Sequence, residues 1–86
     1  ALVHGNELCG AWAVAGLLER LTGGLALQRG RLTLALCNLA AFDRFDARRP
    51  DASRFVDEDL NRQWSAARMA DAGTLERRRA AQLRPW

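Results

Sequence analysis

Apolar residues recur at helical spacing in the segment that runs from residue 7 to about residue 22. The apolar stripe comprises Leu8, Ala11, Trp12, Ala15, Leu18 and Leu21, with Val14 and Leu17 widening it. A stripe of this width predicts an α-helix that is buried on most of its sides. Gly23 and Gly24 predict the end of this helix, because glycine is common just after the last helical turn.

Two short apolar segments flank this helix. Residues 1–3 (ALV) are expected to end a buried strand, and residues 31–37 (RLTLALC) to form a second strand. Neither face of the second segment carries a charge after Arg31, which favours the interior of a sheet covered by helices on both sides. The order strand, helix, strand therefore predicts an α/β layered fold with a right-handed crossover.

The second half of the chain has a weaker pattern. Residues 38–59 mix phenylalanine with charged residues and contain a proline, which predicts a long loop of the kind that is often functional. Helices are expected over residues 60–72, with Asp59 as N-cap, and over residues 74–83, with Thr74 as N-cap. Residues 84–86 resemble the lead-in to a further element, so we expect a single partial domain over residues 1–86, truncated at both ends.

Composition narrows the class of protein. The chain has 86 residues, 49% hydrophobic and 27% charged, which is typical of a globular domain. No segment is long and apolar enough for a membrane span, and two cysteines do not make a disulfide framework, so we expect a cytoplasmic protein. All 13 basic residues are arginine, whose two-pronged guanidinium suits carboxylate or phosphate.

The segment HGNEL contains the only histidine, His4, and a carboxylate three residues later, Glu7. Hydrolytic zinc sites commonly combine histidine and glutamate ligands with a bound water, and a turn can direct these two side chains to one point. Turn and helix-start roles explain the same spacing without a metal. Cys9 and Cys37 could join His4 in a thiolate site, although buried free cysteines more often behave as small hydrophobic residues.

A second motif, RFVDEDLNR at residues 54–62, favours the metal-site interpretation of His4 and Glu7 over the turn interpretation. Together with HGNEL, it resembles the succinylglutamate desuccinylase/aspartoacylase family, a branch of the zinc carboxypeptidase-like hydrolases. Asn38 and Ala41 also resemble the family's Asn-Pro-x-Ala segment, with Leu39 where proline is usual. The closing ERRRAAQLRPW is similar to the family's helix before its next strand, so the resemblance covers almost the whole chain.

The resemblance implies a zinc-dependent amidohydrolase that removes the acyl group from N-acyl amino acids similar to succinylglutamate or N-acetylaspartate. It implies a three-layer fold with a mixed sheet and helices on both faces. His4 and Glu7 would be zinc ligands, and Arg54 would stabilise the developing oxyanion. Asn61 and Arg62 would bind the free carboxylate of the small-molecule substrate.

The family's second histidine ligand and its general-base glutamate have no matching positions in this sequence. We therefore expect weak or no zinc affinity and no hydrolase activity from these 86 residues alone. Two alternatives stay open. The segment could belong to a zinc carboxypeptidase acting on peptides, which shares the carboxylate clamp, or it could be a non-catalytic carboxylate-binding or assembly module.

Simpler structural roles exist for several of these residues. Arg54 and Arg62 could be surface arginines that pair with neighbouring aspartates, and such exposed pairs contribute little. The run at residues 77–79 (RRR) invites a nucleic-acid interpretation, but it lacks interleaved aromatic residues and we expect a solvated helix face instead. The tryptophans are expected to be core or interface anchors, and apolar surface exposed by truncation would favour self-association.

Overall fold

The computed structural model describes residues 1–84. Its α-helices are α1 (Leu8–Thr22), α2 (Leu39–Phe42), α3 (Ala66–Ala70) and α4 (Leu75–Leu83), and short 3-10 turns span Pro50–Ser53 and Leu60–Arg62. Helix α4 packs against α3 and against the second 3-10 turn. Within the described range, no residue belongs to a β-strand.

The predicted α/β fold with a mixed sheet is therefore wrong for residues 1–84. The Ala1 amino group donates to the Ala35 carbonyl at 2.9 Å, and the N–H groups of Cys37 and Asn38 donate to the carbonyls of Ala1 and Leu2 at 3.0 and 2.8 Å. These contacts join only the ends of the two apolar segments. A sheet needs a repeating ladder between strands, and the alternation of apolar residues in one segment does not supply the backbone partner.

Helix α1 has nearly the predicted bounds, but its predicted burial is wrong. The Gly23 N–H donates to the Glu19 carbonyl at 2.8 Å, which closes the helix at the predicted glycine. No residue of α1 is buried, and Trp12 is 78% exposed. The apolar stripe has no sheet to cover it within residues 1–84, so Trp12 is not a core residue there.

The predictions for the second half are partly confirmed. The expected loop over residues 38–59 contains α2 and the turn Pro50–Ser53. The helix predicted over residues 60–72 is wrong, because Ser65 accepts the Arg68 N–H at 3.3 Å and starts the separate helix α3. Helix α4 is confirmed together with its cap, since Thr74 accepts the Arg77 N–H at 3.3 Å.

The predicted solvated face at residues 77–79 is only partly observed. Arg77 forms ion pairs with Glu58 and Asp71, and its side chain is only 20% exposed. Arg79 donates to the carbonyls of Leu36 and Cys37 at 2.9 and 2.6 Å, which satisfies two acceptors of the irregular segment. These guanidinium groups therefore stabilise the fold.

The interior of the described chain is small and polar. Its buried apolar residues are Leu2, Ala41, Leu60 and Ala80, and its buried polar residues are His4, Asn38, Ser53, Gln63 and Glu76. The Cα atoms extend only 14 Å along the shortest axis, little more than the diameter of one helix with its side chains. Directional hydrogen bonds, more than apolar packing, therefore determine how the segments are arranged.

Among residues 1–84, no helix has both the length and the apolar character needed to cross a bilayer.

Trp64 is 40% exposed on the connection between the second 3-10 turn and α3. Pro85 and Trp86 lie outside the described residues, so the expectations for them stay predictions.

Gly5 lies where three backbone segments meet. A Cβ atom added to this residue would lie 2.2 Å from the Ser53 carbonyl oxygen and 2.4 Å from the Ala41 carbonyl carbon. The Gly5 N–H also donates to the Arg54 carbonyl at 3.0 Å. Glycine is required here because a methyl group would overlap backbone atoms that cannot rotate away.

We expect Gly5→Ala to lower the free energy of unfolding by about 1–3 kcal/mol, the usual effect of overpacking a tight site. Gly16→Ala is the matched control, since nothing lies within 4 Å of its added Cβ. Alanine is the better helix former, so the control is expected to gain up to about 1 kcal/mol in the interior of α1. Urea denaturation followed by circular dichroism measures both. Equal effects of the two substitutions would contradict the crowding at Gly5.

Candidate active site

The turn before α1 positions His4. The Glu7 N–H donates to the His4 carbonyl at 3.1 Å, and the His4 N–H donates to the Glu7 carboxylate at 3.1 Å. Leu2, buried and two residues earlier, adopts a left-handed backbone with φ of 59°, which is uncommon outside glycine and typical of functional turns. This reciprocal turn places the buried His4 imidazole beside the Glu7 carboxylate.

The His4 ring is held between two carboxylates. Its Nδ1 lies 2.8 Å from Glu7 Oε1, and its Nε2 lies 2.9 Å from Asp59 Oδ1. The first contact spans three residues and is local, whereas the second joins parts of the chain 55 residues apart. Both ring nitrogens are therefore engaged, and the orientation of the imidazole is fixed.

Asp59 connects the imidazole with residues 54–62, called the arginine loop below. Its Oδ1 also accepts the Asn61 N–H at 2.8 Å, so the predicted capping role of Asp59 is confirmed for the 3-10 turn. Its Oδ2 lies 3.5 Å from Nη2 of Arg54, whose side chain is 47% exposed. One carboxylate thus orients the histidine, the following turn and an arginine.

These contacts change the acidity of the two carboxyl groups. The hydrogen bond with His4 lowers the pKa of Glu7 below its ordinary value, and partial burial opposes this effect. For Asp59, burial acts to raise the pKa, but the hydrogen bonds from His4 and the Asn61 backbone lower it further than burial raises it. Both groups are therefore held in the ionised form that can bind a cation.

The structure brings some of the sequence-predicted residues together. His4 and Glu7 touch directly, and Arg54 reaches them through Asp59. Asn61 and Arg62 follow Asp59 in the 3-10 turn and are both exposed. The Arg62 guanidinium donates only to the Asn61 carbonyl, at 3.4 Å, and has no carboxylate partner within the described chain.

A complete metal shell is not observed in residues 1–84. No three histidine, cysteine, aspartate or glutamate side chains there converge on one point. The two carboxylates beside His4 lie on different ring nitrogens, so they cannot face the same ion through that ring. Cys9 is exposed and Cys37 half-buried, and both are free thiols that join no such cluster.

The arginine loop is fixed to the start of α4 by Glu76, a fully buried carboxylate. Its Oε1 accepts the Val56 N–H at 2.7 Å, and its Oε2 accepts the N–H groups of Asp57 and Glu58 at 3.1 and 3.3 Å. Asn38 donates its side-chain amide to Oε1 at 3.1 Å. Four donors therefore satisfy one buried anion.

Two carboxylates of the same loop accept hydrogen bonds from the start of α4 in return. Asp57 accepts the Leu75 N–H at 2.8 Å, while Glu58 accepts the Thr74 hydroxyl at 2.6 Å and pairs with Arg77, also at 2.6 Å. The hydrogen bond from Thr74 lowers the pKa of Glu58; desolvation opposes this, and Arg77 adds to the lowering. The ion pair with Glu58 correspondingly raises the pKa of Arg77.

Sequence reasoning missed Asp59 as the partner of His4 and missed Glu76 entirely. For Asp59 a signal existed, because histidine ligands of metals usually donate their second N–H to a carboxylate. For Glu76 the only signal was a carboxylate in the first turn of a helix, which is common at exposed positions as well.

The sequence profile of the succinylglutamate desuccinylase/aspartoacylase catalytic domain matches residues 1–85. The chain belongs to the succinylglutamate desuccinylase/aspartoacylase family. This membership assigns it to a catalytic domain of hydrolases that are generally zinc-dependent, and it confirms the resemblance carried by HGNEL and RFVDEDLNR. No curated protein and no solved structure matches the chain.

Glu58, in the arginine loop, makes the free energy of unfolding of this chain dependent on pH. Its folded-state pKa is lowered, so its stabilising contribution is present above the ordinary glutamate pKa of about 4.3 and is lost as the pH falls through the lowered value. Glu58→Gln is therefore expected to flatten the decline of the free energy of unfolding in this acidic window.

Urea denaturation at several pH values between neutral and strongly acidic measures this slope. Glu19→Gln is the matched control, because Glu19 is exposed on α1 and forms no ion pair within the described chain. The control should keep the wild-type slope. If Glu58→Gln keeps it too, the ionic docking of the loop on α4 does not contribute to stability.

Proposed function

We propose that this chain is the part of a zinc-dependent amidohydrolase that contributes His4 and Glu7 to the metal and Arg54, Asn61 and Arg62 to the substrate. The reaction would be the deacylation of N-acyl amino acids similar to succinylglutamate or N-acetylaspartate. The observation that carries the proposal is the imidazole of His4, held between the carboxylates of Glu7 and Asp59.

The donor set fits half of a hydrolytic zinc centre. An imidazole nitrogen and a glutamate oxygen lie side by side at Nδ1, and a second carboxylate holds the opposite nitrogen. A carboxylate behind a histidine ligand fixes its tautomer and raises its basicity, which strengthens metal binding. Zinc bound there would polarise the amide carbonyl and lower the pKa of its water toward about 7.

The arginine loop supplies the remaining electrostatics. Arg54 is half exposed and is held on the same carboxylate as His4, so its guanidinium can stabilise negative charge that develops on the amide oxygen. Removing one such donor typically costs about 2.7–4 kcal/mol of transition-state stabilisation. Arg62 can bind a carboxylate with two parallel hydrogen bonds, and Asn61 can add its amide.

The proposal includes inactivity of the 86 residues by themselves. The sequence contains one histidine, so a second histidine ligand has to come from outside it. A centre with only two protein ligands binds zinc weakly, because three protein ligands are usual even in open catalytic sites.

We expect weak zinc binding that is centred on His4 and Glu7 and that weakens at least about tenfold in His4→Ala. Asp59→Asn is expected to weaken it about tenfold as well, which is the usual effect of removing a second carboxylate behind a ligand. Zinc titration followed by ¹⁵N and ¹³C NMR measures both, with the exposed Asp43→Asn as control.

Three results would contradict the proposal. Zinc-induced NMR shifts centred on Cys9 or Cys37 would show that thiolates bind the metal instead of His4 and Glu7. Tight stoichiometric zinc binding, or hydrolysis of N-acetyl-L-aspartate by the isolated chain, would show that these residues form a complete centre.

A second candidate function is a non-catalytic module that binds carboxylates and assembles with another copy of the chain. Arg62 is exposed and has no carboxylate partner within residues 1–84, which favours binding of a carboxylate from outside the chain. Large apolar side chains that are exposed at the surface favour association with another copy of the chain. They are Trp12, Leu18, Leu25, Leu27, Leu32, Leu39, Phe55 and Trp64.

For this module, N-acetyl-L-aspartate should shift the NMR signals of Asn61 and Arg62 without zinc. Arg62→Ala should remove the response, whereas Arg29→Ala, an exposed arginine in another segment, should retain it. Sedimentation equilibrium on the same samples should show dimers that are reduced by Trp12→Ser. A chain that stays monomeric and shows no NMR shifts with N-acetyl-L-aspartate would contradict this second candidate function.

A further inference from the structure

The strongest unassigned feature of the chain is the buried carboxylate of Glu76. It is 0% exposed, and within residues 1–84 it has no cationic hydrogen-bond partner. A buried anion is very unfavourable unless polar groups replace its water. Here three consecutive backbone N–H groups and one amide do so, and the first turn of α4 adds the positive end of the helix dipole.

Glu76 is hydrogen-bonded to both chain segments that form the candidate active site. On one side it fixes residues 56–58, which lie between Arg54 and Asp59. On the other side it binds the Asn38 side chain, and the Asn38 backbone N–H donates to the Leu2 carbonyl at 2.8 Å, two residues before His4. A single carboxylate is therefore linked to the segment that carries the imidazole and to the loop that carries its partner.

We propose that Glu76 is a positioning residue that sets the distance between His4 and the Asp59–Arg54 pair. The proposal deepens the proposed function and rests on it for its catalytic meaning. Glu76 does not touch the imidazole, so it acts only through Asn38 and the 56–58 loop. Its negative charge is essential, because all four of its partners are donors and none is an acceptor.

Glu76→Gln tests the charge with almost no change of shape. Either orientation of the new amide places an NH₂ group against two N–H donors, since each oxygen of Glu76 accepts two hydrogen bonds. The matched control is Glu19→Gln, which changes an exposed glutamate of α1.

Two measurements on the metal-free chain are combined. Hydrogen exchange of the amides of Val56, Asp57 and Glu58 should accelerate about tenfold in Glu76→Gln, as expected when buried donors lose their acceptor, while the amides of α1 keep their rates. The ¹⁵N signals of the His4 ring should move toward those of an imidazole free at Nε2, a spectroscopic change that a purely structural role at α4 would not produce.

Glu76→Asp keeps the charge but shortens the side chain by one methylene, and it is expected to give intermediate exchange rates and a smaller imidazole shift. Unchanged His4 signals in a folded Glu76→Gln chain would overturn the proposal. Global unfolding of both variants would overturn it too, since Glu76 would then be a general stability determinant.

The outcome is separable from that of the proposed function. The imidazole and amide signals are recorded without zinc or substrate, so they report the positioning role even if the chain binds neither. Conversely, zinc binding by His4 and Glu7 that is indifferent to Glu76→Gln would support the metal site and reject the positioning role.

Discussion

The position of the arginine loop in this chain depends on one buried anion and the donors around it. Glu76 gathers three backbone N–H groups of the arginine loop and the amide of Asn38. Asp57 and Glu58 in turn accept hydrogen bonds from Leu75 and Thr74, and Glu58 forms an ion pair with Arg77, all at the start of α4. Because the apolar interior consists of only a few side chains, this reciprocal set of hydrogen bonds determines where the loop lies. The His4–Asp59 contact is possible only when the loop is in this place.

The features that could be predicted from the sequence are local ones. The bounds of α1 and α4 follow from apolar periodicity, the glycine stop and the Thr74 cap, which act within one or two turns. The pairing of His4 with Glu7 spans three residues and follows from one turn. The two motifs also identified the family correctly, because their spacing is specific even though each motif alone is not.

The features that could not be predicted are those that depend on distant partners. Residues 31–37 alternate as a strand does, but a strand exists only when another segment completes its ladder, and residues 1–2 supply only three hydrogen bonds. The exposure of Trp12 has the same origin, since periodicity indicates which face is apolar and not what covers it. Asp59 reaches His4 across 55 residues, and only the folded path of the loop reveals that contact.

The polar interior has a consequence for the thermodynamics of this chain. Unfolding raises the heat capacity where apolar surface meets water and lowers it where polar surface does. The described residues form a slab 14 Å thick whose fully buried residues are more often polar than apolar, so we expect unfolding to expose comparatively little apolar surface. We therefore expect a heat-capacity change of unfolding that is small for the length of the chain, and a stability that varies gently with temperature. Cold weakens such a fold less than it weakens one built on a large apolar core.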